Sequence, residues 1–222
     1  FAKDFEIPCV GGKVSLYNET SDGPIKPTPV IGVIGLIDKK PLKIQKINSG
    51  DSLIMIGDTK DELGGSEYSE YVHKFIGGKC PAVDFSESKK NMNCVLDIIE
   101  NELIKSAHDC SKGGLSIAIS ELCMINQVGC NVSLEKIPGE KLDSDKILFS
   151  ESHSRYLLTI ENKNLSKLEE TLKKYGVSYS LIGEFTGDSI CFSSDSKPII
   201  DLSVDKAHKT WLNSLKEMVL HA

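Results

Sequence analysis

Two glycine-centred segments and one serine-rich segment carry residue types suited to phosphate chemistry. The first is Gly11-Gly12-Lys13-Val14-Ser15-Leu16-Tyr17-Asn18-Glu19-Thr20, which ends the short apolar run Ile7-Pro8-Cys9-Val10. Paired glycines let a backbone approach a ligand closely. Lys13 can neutralise a phosphate, Ser15, Tyr17, Asn18 and Thr20 offer hydrogen-bonding groups, and Glu19 offers a carboxylate to magnesium. A Gly-Gly turn between two strands with a polar tip has the same composition, so residue type alone leaves both readings open.

The second segment is His108-Asp109-Cys110-Ser111-Lys112-Gly113-Gly114-Leu115, directly before an apolar stretch. A glycine-rich turn feeding a helix presents unpaired N–H groups and the positive end of the helix dipole to an anion. Asp109 is placed to hold magnesium, and Ser111 either caps the helix or bonds a phosphate. The third segment, Ser150-Glu151-Ser152-His153-Ser154-Arg155, contains the only arginine of the chain. Where lysine is otherwise the rule, one arginine points to a planar partner, a carboxylate or a phosphate. Glu151 is the nearby carboxylate.

These segments need a scaffold, and the 222 residues, 40% hydrophobic and 26% charged, can build one. That length suits one domain with an attached piece. A net charge of −6 without a long basic block argues against a nucleic-acid surface. No apolar run approaches the roughly 18 residues of a membrane span. Seven cysteines without a C-x-x-C pair indicate neither a disulfide framework nor a zinc site, and fit a cytoplasmic location. The sequence lacks the H-E-x-x-H, Walker A and G-x-G-x-x-G patterns, which leaves metalloprotease and Rossmann readings without support. Phe1 leads straight toward a strand, so we expect protein upstream of it.

Along the chain, residues 22–29 read as a proline-stiffened connector and Val30-Ile31-Gly32-Val33-Ile34-Gly35-Leu36-Ile37 as a buried strand. Ser52 to Gly57 is a short apolar strand, and Leu63-Gly64-Gly65-Ser66-Glu67-Tyr68 a second glycine turn. Met92, Val95, Leu96, Ile99, Leu103 and Ile104 predict an amphipathic helix over about 86–105, followed by a strand lead at 104–107. Residues 115–125 predict a buried helix, 128–134 and 156–160 strands, and 165–172 a helix that Gly176 ends. Val177 to Glu184 and Ser189 to Phe192 predict strands paired around Thr186-Gly187-Asp188. Ile199 to Leu202 is a last strand, and Ser203 caps a helix carrying Val204, Ala207, Trp211, Leu215 and Met218. This order predicts an α+β fold with a mixed sheet.

Taken together, five motifs resemble the synthetase-subunit family of phosphoribosylformylglycinamidine synthase, in its second half. They are residues 8–20, Pro27-Thr28-Pro29-Val30-Ile31-Gly32, residues 63–68, residues 107–115 and residues 150–155, in order and over nearly the whole chain. The resemblance implies a unit of the aminoimidazole ribonucleotide synthetase type: residues 1–45 as the tail of an N-terminal-type α+β domain and 46–222 as the C-terminal-type domain. It implies a ligase of purine biosynthesis that uses ATP and magnesium to activate the formamide oxygen of formylglycinamide ribonucleotide as an iminophosphate. Ammonia from a glutaminase subunit then displaces the phosphate, with a small bridging subunit as further partner.

Carried over by position, the resemblance puts Gly12, Lys13 and Ser111 at ATP, Ser15 at the ribonucleotide and Asp109 at magnesium in an auxiliary site. Glu151, His153 and Arg155 fall in the pseudosymmetric counterpart of a substrate-binding segment. Lys13 departs from small-type members, which carry a magnesium-binding asparagine there; protonated lysine cannot ligate the metal but can neutralise phosphate. The family's catalytic histidines match nothing here, so no catalytic residue is assigned and the chain alone is expected not to turn over. Two other readings stand beside this one: a structural and assembly module of the same complex, and another superfamily member such as selenophosphate synthetase or thiamine-phosphate kinase.

Overall fold

A computed structural model describes residues 1–14, 18–25, 28–37 and 46–220, and separates the chain into two units, Phe1–Pro41 and Leu42–Ala222. In the first unit, β1 (Glu19–Thr20) and β2 (Gly23–Pro24) form a two-residue antiparallel hairpin, with Ile25 N donating to Asn18 O at 2.9 Å. The expected strand over 30–37 does not form. Its apolar side chains stand in solvent, Ile34 98% and Leu36 96% exposed. A β-branched run becomes a strand only when another strand takes its N–H and C=O groups, and none in this unit does so among the described residues.

The second unit is built on one sheet. Its strands are β3 (Ser52–Ile56), β4 (Ser106–Asp109), β5 (Cys130–Ser133), β6 (Tyr156–Ile160), β7 (Tyr179–Phe185), β8 (Ser189–Ser194) and β9 (Lys197–Ser203). They lie in the order β4-β6-β3-β7-β5-β8-β9, antiparallel throughout except β5 against β8. The sheet is therefore mixed, as the α+β reading requires. One expected pairing is wrong: β7 and β8 are not partners, because β5 lies between them. Gly129 makes that insertion possible, since a Cβ there would sit 2.4 Å from Ser189 O. The hairpin is β8 with β9 instead.

Helices cover both faces of the sheet. They are α1 (Glu67–Tyr71), α2 (Phe85–Glu100), α3 (Gly114–Asn126), α4 (Ser144–Phe149), α5 (Leu165–Tyr175) and α6 (Val204–Leu220). Side chains alternate along β3, so Leu53 and Met55 join the core with α3, α4 and the start of α6, while Ile54 and Ile56 join the core with α2 and α5. Asp84 caps α2 by accepting from Glu87 N at 2.9 Å. The buried stripe of α2 is Asn91, Cys94, Val95 and Ile98, turned from the expected one, and Leu96 is exposed. The helix ends at Glu100, before the expected 105, because Glu102 takes a positive φ of 52° on the way into β4. In the gap before β3, a buried ion pair forms: Lys105 Nζ donates to both oxygens of Asp51 at 2.8 Å.

Candidate functional site

At one end of the sheet the carboxyl end of β4 meets the start of β6, with Asp109 and Tyr156 as register partners. The chain leaving β4 turns into α3, and the chain entering β6 is the serine-rich segment. Between them lies an open cleft of about 400 Å³ lined by Asp109, Ser111, Lys112, Glu151, His153 and Tyr156, among others. Segments distant in sequence thus converge, with Asp109, Ser111, Glu151, His153 and Arg155 at one place.

The turn into α3 depends on Gly113 and Gly114, whose φ angles are 77° and 68°. A Cβ on Gly114 would lie 2.6 Å from Ser150 O and 2.9 Å from Leu148 O, so only glycine lets the helix start press against the serine-rich segment. Ser111 does not cap α3 with its side chain: the cap residue is Gly113, and Ser111 contributes its main-chain carbonyl to Gly114 N at 3.1 Å. Its hydroxyl is left exposed in the cleft. Asp109 is exposed too, and its carboxylate makes no hydrogen bond or ion pair among the described residues.

Glu151 takes the role expected of an incoming anion. Its Oε1 accepts from Gly113 N and from Glu67 N, both at 2.9 Å, tying the start of α3 to the start of α1. The expected Arg155–Glu151 pair is absent. Arg155 is 1% exposed and donates instead from Nε to Ser152 O at 3.0 Å, from Nη1 to Thr59 Oγ1 at 3.1 Å and from Nη2 to Ser150 O at 2.5 Å. Its planar fork therefore braces the wall of the cleft from behind. Further bonds fasten the same wall to residues 60–62: Ser152 Oγ accepts from Lys60 N at 3.0 Å, Ser150 Oγ from Glu62 N at 3.3 Å, and Glu151 N donates to Glu62 O at 3.1 Å.

Burial pushes the Cys110 thiol up to about 11, which disfavours its thiolate. The Tyr156 hydroxyl is also shifted upward, first by burial and then by the Asp109 charge, so it remains a hydrogen-bond donor. Desolvation lowers the Arg155 guanidinium. Lys112 is shifted upward by its ion pair with Glu67, at 2.6 Å. Lys112, Tyr156 and Glu67 were not singled out as site residues. Position beside Ser111 could have flagged Lys112, whereas Tyr156 and Glu67 arrive through strand register and helix packing.

The donor set suits a hard cation only in part. Asp109 and Glu151 are oxygen ligands of the right kind, yet no group of three or more His, Cys, Asp or Glu able to hold a metal occurs among the described residues.

Gly12 and Lys13 lie in the first unit, exposed and outside any strand or helix. A Cβ on Gly11 or Gly12 would meet nothing within 4 Å, and neither has positive φ, so local packing does not require glycine there. Ser15 lies outside the described residues.

Residues 48–193 match the family described as AIR synthase related protein, C-terminal domain. The chain is 36% identical over 98% of its length to phosphoribosylformylglycinamidine synthase subunit PurL of Methanocaldococcus jannaschii, covering 30% of that protein. It is 38% identical over 95% of its length to the subunit of the same name from Thermoanaerobacter sp., covering 28%. The chain thus spans under a third of the curated relatives it matches.

Among solved structures, T. maritima PurL complexed with FGAR is similar at a TM-score of 0.68 and 19% identity, over 75% of this chain and 29% of that one. The same protein complexed with ATP gives 0.61 and 19%, over 75% and 27%. PurLQS from Thermotoga maritima gives 0.61 and 18%, over 73% and 27%. At these identities the likeness concerns the fold.

Proposed function

This chain belongs to the AIR synthase related family, whose C-terminal domain it carries, and from that premise we propose that it forms part of an ATP-dependent ligase making formylglycinamidine ribonucleotide. The overall reaction consumes formylglycinamide ribonucleotide, ATP and glutamine-derived ammonia, and releases ADP and phosphate. The relatives' shared name and the motif order over nearly the whole chain support the reading. The observation that carries it is the cleft in which Asp109, Ser111 and Lys112 face Glu151 and His153.

In this reading the second unit, about 46–222, is the C-terminal-type domain, and residues 1–45 complete an N-terminal-type domain formed with the rest of the protein. Gly12 and Lys13 approach ATP, and Ser15 the ribonucleotide. The cleft takes a magnesium nucleotide in an auxiliary position: Asp109 holds the cation, Ser111 donates to a phosphate oxygen and His153 lies at the mouth. Magnesium there supplies charge neutralisation for the phosphates. Glu151 and Arg155 touch no ligand; they fix the wall that shapes the cleft. A glutaminase and a small bridging subunit are the proposed protein partners, and the cytoplasm the proposed location. Among the described residues, no helix is long and apolar enough to cross a membrane.

Two assays test this division of labour. The 222-residue chain alone is expected to show no ATP-dependent amidine synthesis; turnover by the chain alone would contradict the proposal. In the intact protein, Gly12→Ala and Ser15→Ala are expected to lower activity in a folded enzyme. Near-normal activity in both would favour a purely structural module.

A further inference from the structure

The groups of the cleft best suited to phosphate are already satisfied within the chain, two of them by carboxylates. Gly113 N, at the start of α3, is bonded to Glu151 Oε1 at 2.9 Å. The Lys112 ammonium is bonded to Glu67 Oε1 at 2.6 Å. Arg155 is buried and spends its donors on Thr59, Ser150 and Ser152. The Ser111 hydroxyl and the His153 ring remain without protein partners among the described residues.

The two carboxylates are not equivalent. Glu151 accepts two main-chain N–H bonds and anchors two helix starts, so removing it would unfasten the cleft. The Lys112–Glu67 contact is a single ion pair with side chains 81% and 48% exposed. An exposed pair of this kind contributes little net stability and exchanges readily for a stronger anion. Glu67 also opens α1, whose Tyr68 stacks on Phe149 with ring centroids 4.5 Å apart.

We propose that Lys112, which lines the cleft, and Glu67 form a clasp at its edge, which a ligand phosphate opens by taking Lys112 from Glu67. The proposal rests on the reading of this cleft as a phosphate site. Its consequence is that ligand binding loosens residues 62–72: the phosphate gains a cation, and the segment loses its direct ion pair to the α3 turn while keeping the indirect tie through Glu151. By linkage, weakening the tie must strengthen binding by the same factor.

Calorimetric titration of magnesium-ADP into the 222-residue chain, paired with amide hydrogen exchange over residues 62–72, tests this. Glu67→Gln is expected to tighten binding about two- to five-fold, the scale of one exposed ion pair. Lys112→Ala is expected to weaken it, and exchange over 62–72 to rise on binding in the wild-type chain. Asp61→Asn removes another ion pair, Lys146–Asp61 at 2.6 Å, next to this segment without touching Lys112. It is expected to leave affinity unchanged, so equal tightening in Asp61→Asn and Glu67→Gln would overturn the clasp. If magnesium-ADP binds and Asp109→Ala abolishes binding, but Glu67→Gln matches wild type, the phosphate site stands and the clasp falls. If neither wild type nor Glu67→Gln binds, the phosphate reading fails and takes the clasp with it.

Discussion

Replacing Arg155 by methionine tests how the cleft wall is held. The guanidinium donates to three acceptors whose residues are buried, Ser150 at 0%, Ser152 at 1% and Thr59 at 1% exposure. Methionine fills much of the volume but donates nothing. Each acceptor left unpaired costs roughly 1–3 kcal/mol. Release of a buried cation offsets part of that sum, so the net loss is expected at about 3–5 kcal/mol. For a chain of this size each kcal/mol lowers Tm by about 2–4 °C, giving a fall on the order of 10 °C. Arg155→Lys keeps the charge, yet one ammonium cannot reach three acceptors spread over a planar fork, and it is expected to lose about half as much. Urea unfolding at neutral pH measures both. A methionine variant within about 1 kcal/mol of wild type, or a lysine variant matching it, would refute the bracing role.

Other outcomes follow from single contacts. Gly114→Ala places a Cβ against Ser150 O and Leu148 O at a φ of 68° and is expected to destabilise the chain by several kcal/mol, roughly 2–4, in the same assay. Lys105→Met strips Asp51 of its buried cation and is expected to cost about 3–5 kcal/mol. Under native conditions a thiol reagent should label Cys9 and Cys80 quickly and Cys94, Cys110, Cys123 and Cys130 only on unfolding, since the first two are exposed and the last four buried; rapid labelling of Cys110 would contradict its burial. Hydrogen bonds from Ser133 and Asp195 N lower the Glu135 carboxyl from 4.5 to about 2. A carboxyl lowered on folding stabilises above its unfolded pKa, and that contribution is lost as pH falls from 4.5 toward 2. Glu135→Gln should therefore flatten the acid limb of the stability curve in that window, and an unchanged limb would show that the shift is absent.

Much of the second unit was legible because its elements declare themselves locally. The run Ser52-Leu53-Ile54-Met55-Ile56 is apolar on both faces, as a strand covered on both sides must be. Leu168 and Leu172 share a buried face, and Gly176 ends α5 at a φ of 60°. What failed needed partners that local pattern does not contain. Val30 to Ile37 has strand composition but, among the described residues, no strand beside it in its own unit. The turn between β7 and β8 resembles a hairpin, and β5's entry is marked by glycines that meet residues far away in sequence, Gly129 against Ser189 and Gly183 against Asn131. In the cleft, Asp109 and Ser111 were legible as exposed polar residues in a glycine turn. The partners of Arg155 were not, because two of its three acceptors are main-chain carbonyls and composition shows only side chains. The same blindness hid the partners of Glu151, which are two main-chain amides.

The central claim is that the cleft at the end of β4 holds a magnesium nucleotide through Asp109 and Ser111. Titration calorimetry of ADP with and without magnesium, on the wild-type chain and on Asp109→Ala, tests it most directly. Because the Asp109 carboxylate is exposed and makes no hydrogen bond or ion pair among the described residues, its removal should leave the fold intact, which circular dichroism can verify. Magnesium-dependent binding to the wild type is expected, weakened at least about ten-fold in Asp109→Ala, the scale of losing one charged ligand to the cation. Equal affinity in the two chains would contradict it.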